Sequence, residues 1–257
     1  MTWIKCEFHV HTTRSDGKLP PKVVLKLYKK NGYDAVAITD HDTFTKPDYI
    51  PKDLLWIPGE EYTADIRHPP QLPIPGFPKW IRFWFHVLMF YIDKDVKNDR
   101  DYKEQISKGA LAFIAHPWTV TPDEFIEGVL RNLTFHGCEV LNGANKCFAM
   151  HTGYAPRGIG GSDGHGHELA PYCSAMSYVE ADKNLDDIYE ALLENRIVVR
   201  CKRSFFSTNK KISKKFEKEF NVKVNVLTPQ IPPNLISIAD ATAKYVYMEI
   251  TTGKLVL

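Results

Sequence analysis

Short apolar runs along this chain repeatedly end in a histidine or an acidic residue. The clearest case is the run 35–39, which leads directly into Asp40, His41 and Asp42. Because a buried charge is costly unless it is paired or bound to a metal, such side chains belong at an open edge of the core. Parallel barrels place their active-site residues where the strands end at the C-terminal face. The pattern therefore favours a fold in which several strands deliver titratable side chains to one shared edge.

The β-rich runs alternate with stretches of helical periodicity, which is the pattern of βα units and a parallel sheet. Pro20 and Pro21 open one predicted helix, whose apolar face includes Val23, and further predicted helices begin at Thr121 and Asn184. A chain of 257 residues is long enough for one α/β barrel. The seven predicted strands are 3–11, 35–39, 55–58, 83–91, 110–115, 137–141 and 157–161.

Two segments depart from this pattern. Residues 65–82 contain five prolines, which exclude a helix or a central strand and indicate a loop insertion. Beyond residue 204, a lysine-rich amphipathic helix is predicted near residue 210, and the strand-like runs 222–227 and 245–250 could pair as a hairpin. The predicted organisation is a catalytic barrel over 1–204 with a C-terminal extension, 205–257, packed on it.

Charge and cysteine content limit the compartment and the partners. The 33 Lys and Arg residues nearly balance the 31 Asp and Glu residues, so composition does not demand a polyanionic partner. The five cysteines form no Cys-x-x-Cys pair, which suits reduced thiols better than a disulfide framework. The longest apolar run, 81–92, is far shorter than the roughly 20 residues of a membrane-spanning helix, and no signal-peptide pattern opens the chain. We therefore expect a cytoplasmic protein without a membrane partner.

The spacing of the polar residues indicates metal chemistry. His9 and His11 are two residues apart, so the alternation of a strand places both side chains on one face, and Asp163 and His165 have the same spacing. Imidazole and carboxylate together suit Zn, Mn or Fe. The set is too large for one cation and could hold two or three divalent ions, with Glu61 and a hydroxide bridging them. The nine candidate ligands are His9, His11, Asp16, His41, Glu61, His86, His116, Asp163 and His165.

Taken together, these motifs resemble the polymerase and histidinol phosphatase (PHP) superfamily of metal-dependent phosphoesterases, over roughly residues 3–200. The four matching motifs are His9-Val10-His11 with Ser15-Asp16-Gly17, Thr39-Asp40-His41-Asp42, Ala115-His116-Pro117, and Gly161-Ser162-Asp163-Gly164-His165. The resemblance implies an α/β fold, a distorted (β/α)7 TIM-like barrel with its metal site at the C-terminal ends of the strands.

The resemblance also implies how the ligands divide among three metals. The first set is His9, His11, Glu61 and Asp163; the second is Glu61, His86 and His116; the third is Asp16, His41 and His165. The family places its glutamate two residues after a glycine, so Gly59 selects Glu61 over Glu60. Asp163, His165 and His41 are further expected to act in catalysis.

The implied reaction is hydrolysis of a phosphoester, through a metal-bound hydroxide, in a small phosphorylated metabolite or nucleotide. An anionic substrate needs cationic side chains beside the metals, and Arg157 and Lys146 are the candidates. Asp40 and Asp42 could position metal-binding imidazoles or serve in turns. Two alternatives stay open. One is a nuclease, for which the lysine-rich helix would contact nucleic acid, although no stacking platform is visible. The other is a metal- or ligand-binding PHP module without turnover.

Overall fold

A computed structural model describes residues 2–66, 83–117, 133–144, 148–149, 157–166 and 175–228. Within these ranges the chain is a mixed α/β protein with two β-sheets. Most of the proline-rich segment, the helix predicted at Thr121, the candidate substrate residue Lys146 and the run 245–250 lie outside them.

The strands are β1 (Thr2–Glu7), β2 (Ala35–Ala37), β3 (Leu55–Ile57), β4 (Gly59–Ile66), β5 (Phe83–Phe90), β6 (Leu111–Ile114), β7 (Gly137–Asn142), β8 (Phe148–Ala149), β9 (Gly158–Gly161), β10 (Ala175–Ala181), β11 (Ile197–Cys201), β12 (Ser204–Ser207) and β13 (Val224–Val226). The helices are α1 (Pro21–Lys30), α2 (Asp99–Ser107), α3 (Leu185–Leu193) and α4 (Lys210–Phe220). Each of the seven predicted strands therefore contains an observed strand, but β1 ends at Glu7, before His9 and His11.

The first sheet has the strand order β13-β12-β11-β10-β1-β2-β3, and the second has the order β4-β5-β6-β7-β8 with β9 also paired to β7. Parallel pairing joins β1 to β2, β2 to β3, β6 to β7 and β7 to β9. In contrast, β10 runs antiparallel to β1 and β11, and β5 runs antiparallel to β4 and β6. The prediction of a parallel sheet is thus wrong for these pairs.

Pro58 accounts for part of that difference. It separates β3 from β4, and because proline has no backbone N–H it cannot continue a central ladder. The chain therefore leaves the first sheet after Ile57 and enters the second one at Gly59. There β4 pairs with β5 along its whole length, from Gly59 opposite Phe90 to Ile66 opposite Phe83.

Two short bridges join the sheets at one end. Val10 pairs with Gly164, and His41 pairs with Glu61, both in parallel orientation. The backbone N–H of Asp163 donates to the His9 carbonyl at 2.8 Å, and that of Glu61 donates to the Asp40 carbonyl at 3.1 Å. The chain just after β1, β2 and β9 is thereby held beside β4.

Apolar side chains from both sheets fill the space below this end. Phe90 lies between Phe8 and Phe113, with ring centroids 5.5 and 5.7 Å away, and all three are fully buried. Phe8 immediately precedes His9, so the step from apolar core to polar cluster takes one residue. Helix α1 covers the first sheet with Val24, Leu25 and Tyr28. Val23 is instead 43% exposed, so its predicted place on the apolar face is wrong.

The lysine-rich helix is confirmed as α4, which Asn209 caps by accepting hydrogen bonds from Lys211 N and Ile212 N. Phe216 lies on the buried face of this helix and packs against the first sheet. The predicted run 222–227 contains β13, which pairs in parallel with β12. Residues 204–226 thus extend the edge of the first sheet, while the domain boundary after residue 204 stays a prediction.

The cysteines only partly agree with the expectation of reduced thiols. Cys6 and Cys138 are buried, but Cys201 is disulfide-bonded, which contradicts the expectation for that residue. A cytoplasmic location therefore stays a prediction. Across the described ranges, none of the helices has the length and apolar character required to traverse a bilayer.

Candidate metal centre

All nine predicted ligands meet where the two bridges join the sheets. Most of them follow the end of a strand, as predicted. Glu61 and His86 do not, because they lie within β4 and β5, where Thr63 is the partner of His86. Because these two strands are antiparallel, their ligands join the cluster from the middle of the strand pair rather than from its end.

Glu61 occupies the centre of the cluster and is fully buried. Its Oε2 lies 3.1 Å from Nε2 of both His9 and His11, and 3.4 Å from His41 Nδ1. Its Oε1 lies 3.0 Å from His86 Nδ1 and 3.0 Å from His116 Nε2. Each carboxylate oxygen therefore faces its own group of imidazoles, as a bridging ligand would.

A second carboxylate, Asp163, approaches the same imidazoles from β9. Its Oδ1 lies 3.4 Å from Nε2 of His9 and of His11. His165 directs its Nδ1 to the Asp163 carbonyl at 3.0 Å. Because a carbonyl only accepts, that nitrogen carries the proton, which leaves Nε2 facing Asp16 Oδ2 at 3.1 Å.

Asp16 brings a third carboxylate to the outer side of the cluster. Its Oδ1 lies 3.5 Å from His11 Nδ1, and its Oδ2 lies 3.7 Å from His41 Nε2. The Asp16 side chain is 54% exposed, whereas those of His9, His11 and Glu61 are at most 1% exposed. The cluster thus has a closed inner part and an outer part that opens to solvent.

The side chains of the inner part are better arranged to bind a cation than to hydrogen-bond to one another. Nε2 of His9 and Nε2 of His11 lie 3.2 Å apart, and both point at the same oxygen of Glu61. The buried Nδ1 of His11 makes no hydrogen bond within the described part of the chain. Protons cannot satisfy so many converging lone pairs, whereas divalent cations can.

Four groups of ligand atoms lie within 4.8 Å of one another. They are His11, Asp16, His41 and His165; His9, His11 and Glu61; His9, His116 and Asp163; and His41, Glu61 and His86. The first contains the whole predicted third set, and the second contains three of the four residues of the first set. The structure therefore brings all nine residues together, while the division into sets stays a prediction.

The electrostatics of the cluster favour positive charge. Burial alone would lower the pKa of His9, but the carboxylates of Glu61 and Asp163 outweigh it and raise that pKa well above its usual value. The pKa of His11 rises to about 9 against the same effect of burial. Conversely, burial would raise the pKa of Glu61, but the surrounding imidazoles hold it well below its usual value. Such a site stabilises cations.

Glu60 and Glu61 are adjacent on β4, so their side chains point to opposite faces of the strand. Glu60 points away from the cluster and accepts from Val96 N at 3.0 Å, and burial raises its pKa to about 8. Asp40 and Asp42 serve loops and turns: Asp40 Oδ1 accepts from Thr12 N at 2.6 Å, and Asp42 Oδ1 accepts from Thr63 N at 2.7 Å.

The structure does not bring Arg157 to the cluster. Arg157 precedes β9, at the opposite end of that strand from Asp163. Its guanidinium donates to the carbonyl oxygens of His136 and Leu193, so it serves the packing of the chain below the site. Its prediction as a substrate-binding residue is therefore corrected, and that of Lys146 lies outside the described residues.

Sequence reasoning missed two buried carboxylates next to the cluster. Glu139 on β7 lies 3.1 Å from His9 Nδ1. Glu7 accepts from the backbone N–H groups of His9 and Ser162, and burial raises its pKa to about 8. The available signal was a glutamate inside an otherwise apolar run, since a charge is seldom fully buried unless it has partners.

No protein-family model and no curated protein matches this sequence. Solved structures, in contrast, do show a similar fold. One is a two-domain protein from Bacteroides vulgatus containing a predicted PHP-like metal-dependent phosphoesterase, with a TM-score of 0.59, 21% identity, and coverage of 84% of this chain and 70% of that one. Another is a lesion-specific endonuclease from Pyrococcus furiosus, with a TM-score of 0.50, 10% identity, and coverage of 81% of this chain and 60% of that one.

This chain thus spans less than two thirds of the endonuclease. At such identities the likeness concerns the fold. The motif resemblance is confirmed at that level: the chain shares its fold with a protein that contains a predicted PHP-like metal-dependent phosphoesterase.

Proposed function

We propose that this chain is a metal-dependent hydrolase of phosphoesters. The observation that carries the proposal is the position of Glu61, whose two oxygens face two different groups of imidazoles at 3.0–3.4 Å. A carboxylate that divides its oxygens in this way suits a pair of cations. The fold shared with a PHP-like protein supports the same conclusion.

Two or three divalent cations, Zn, Mn or Fe, would be held by the nine residues in the three predicted sets. Bound there, they would supply Lewis acidity and lower the pKa of water. The surrounding strands would form a distorted barrel of seven, β9-β1-β2-β4-β5-β6-β7. The bridges Val10–Gly164 and His41–Glu61 support that closure.

The outer residues would meet the substrate. His41, His165 and Asp16 are partly exposed, with 28%, 24% and 54% of their side chains accessible. A phosphoester therefore approaches from their side, while the buried His9, His11 and Glu61 keep water from the inner face of the cluster. Asp163, which spans both parts, would orient His11 and His165, and His41 and His165 would hold a cation near the leaving oxygen.

The test combines elemental metal analysis with hydrolysis of an aryl phosphate, with and without added Mn or Zn. Two or more metals per chain with metal-dependent phosphate release are expected. Asp163→Ala should lose metal and activity together while it keeps the fold, because the apolar core lies below the site. A fully metallated and active Asp163→Ala variant would contradict the proposal, as would wild-type protein that binds no metal after reconstitution.

A nuclease is the second candidate. It is favoured by the exposed lysines of α4 and by the similar fold of the lesion-specific endonuclease. Oligonucleotide binding that weakens steeply with salt would support it. A metabolite phosphatase would instead cleave small phosphomonoesters with little salt dependence. Metal binding without hydrolysis of either substrate class would favour the module that lacks turnover.

A further inference from the structure

Strand β7 supplies none of the nine predicted ligands, yet Glu139 and Asn142 are fully buried next to them. In a regular strand, residues three apart point to opposite faces. Here the register with β9 shifts between Glu139 and Leu141, as in a β-bulge. Asn142 is thereby brought beside Glu139, and its Nδ2 donates to Glu139 Oε2 at 3.0 Å.

The Glu139 carboxylate receives three donors. His9 Nδ1 lies 3.1 Å from its Oε1, and the backbone N–H of His116 donates to its Oε2 at 2.9 Å. Asn142 is the third donor. Because Oε2 already accepts from His116 and Asn142, Oε1 is left to accept from His9, whose Nδ1 then carries the proton. His9 Nε2 faces Glu61 at 3.1 Å, and a cation bound between them would replace the proton on that nitrogen.

The same pair orients two further ligands. His116 has a φ of 25°, which is unfavourable for a residue with a side chain, and its bond to Glu139 holds that backbone in place. Asn142 Nδ2 also donates to Asp163 Oδ2 at 3.2 Å. The other oxygen of Asp163 is left to face His9 and His11. One polar pair thus contacts ligands on three different elements.

We propose that Glu139 is a positioning residue that selects the metal-binding tautomer of His9, and that Asn142 extends this role to Asp163. The inference rests on the proposed metal centre and adds to it a control of metal affinity from outside the ligand set. Partners of this kind typically account for about 10- to 100-fold in metal affinity.

Glu139→Gln tests this role with little change of shape. A glutamine has one acceptor oxygen and one NH2 group. If its oxygen takes the place of Oε2, it satisfies the His116 N–H and Asn142, and the NH2 group then faces His9 Nδ1. That donor favours the opposite tautomer, in which Nε2 carries the proton and cannot bind a metal. If the amide is flipped, its NH2 group opposes two donors, and His116 and Asn142 are displaced.

Metal affinity should be measured by competition with a chelator, using zinc and the full chain. We expect Glu139→Gln to bind zinc about 10- to 100-fold more weakly than the wild type. The matched control is Glu60→Gln. Glu60 is also buried, but it points away from the cluster and accepts from the backbone N–H of Val96, which a glutamine oxygen can also do. This control should bind zinc within about twofold of the wild type.

Zinc affinity of Glu139→Gln equal to that of the wild type would overturn the inference and leave the proposed function standing. A wild type that binds no zinc would overturn both. If the variant does not fold, a measurement on the wild type alone still tests the inference. In nitrogen-15 NMR spectra of the zinc-loaded wild type, His9 should carry its proton on Nδ1. A proton on Nε2 would contradict the inference.

Discussion

At the scale of single residues, Asp40 shows how a buried carboxylate can support the candidate metal centre without contacting it. Its two oxygens accept from Thr12 N, Thr12 Oγ1, Ser15 Oγ and Thr45 Oγ1 at 2.5–2.8 Å. Thr12 and Ser15 belong to the loop that carries Asp16. The position of Asp16, and with it the outer part of the cluster, therefore depends on Asp40.

We predict that Asp40→Asn destabilises the protein by about 1–3 kcal/mol, because one amide oxygen cannot accept from four donors. It should also weaken the cation site of Asp16, His41 and His165, with less effect on the inner ligands. Chemical denaturation and metal stoichiometry measure the two effects. Asp42→Asn is the control, since the amide oxygen can still accept from Thr63 N and asparagine tolerates the φ of 47°. Equal metal loss in both variants would contradict the prediction.

At the scale of elements, strand β9 couples close packing to the position of a ligand. A Cβ on Gly161 would lie 2.5 Å from the Cβ of His9. A Cβ on Gly158, at the other end of the strand, would lie 2.8 Å from Val140 Cγ1. Only glycine permits either approach without displacing a neighbour.

Both Gly161→Ala and Gly158→Ala should destabilise the fold, each by about 1–3 kcal/mol, because they overpack the core. Only Gly161→Ala should also weaken metal binding, since it displaces His9. Denaturation curves and chelator competition on the two variants separate these effects. Metal binding that weakens equally in both would show that general loosening, rather than displacement of His9, sets the affinity.

A second element-scale prediction concerns α4. Phe216 is buried and its ring contacts those of Trp3, Tyr178, Phe205 and Phe220, with centroids 4.4–5.5 Å apart. Phe216→Ala should cost about 3–5 kcal/mol in the free energy of unfolding. Metal stoichiometry should stay at the wild-type value, because this cluster is separate from the core beneath the ligands. Loss of metal from the folded variant would show that the extension supports the site.

The positions of strands and ligands were predictable because each reports a local pattern. An apolar run predicts a strand, and a histidine pair two residues apart predicts a shared face. The antiparallel pairing of β4 with β5 was not predictable, because neither the break at a single proline nor the change of sheet produces a distinct periodicity of apolar residues. The pairing of Glu139 with Asn142 was also hidden, since a bulge reverses the face that residue spacing predicts.

At the scale of the whole molecule, the centre joins segments that are far apart in sequence, from His9 to His165. The unfolded chain cannot assemble this site, so cations that bind only the folded state stabilise it by mass action. The folded protein without cations also holds three carboxylates close together, in a cluster where Glu61 is fully buried. Fold stability and metal content should therefore change together.

We predict that a chelator lowers the melting temperature of the wild type. With free metal at about 100 times its Kd, one site contributes about 2.7 kcal/mol. For a chain of this size, that corresponds to about 5–10 °C per site. The measurement is thermal denaturation with EDTA and with excess Mn or Zn, and Asp163→Ala, which lacks one of the central carboxylates, should respond much less. A melting temperature independent of metal in the wild type would mean that the folded chain gains nothing from cations, and the cluster would then need another explanation.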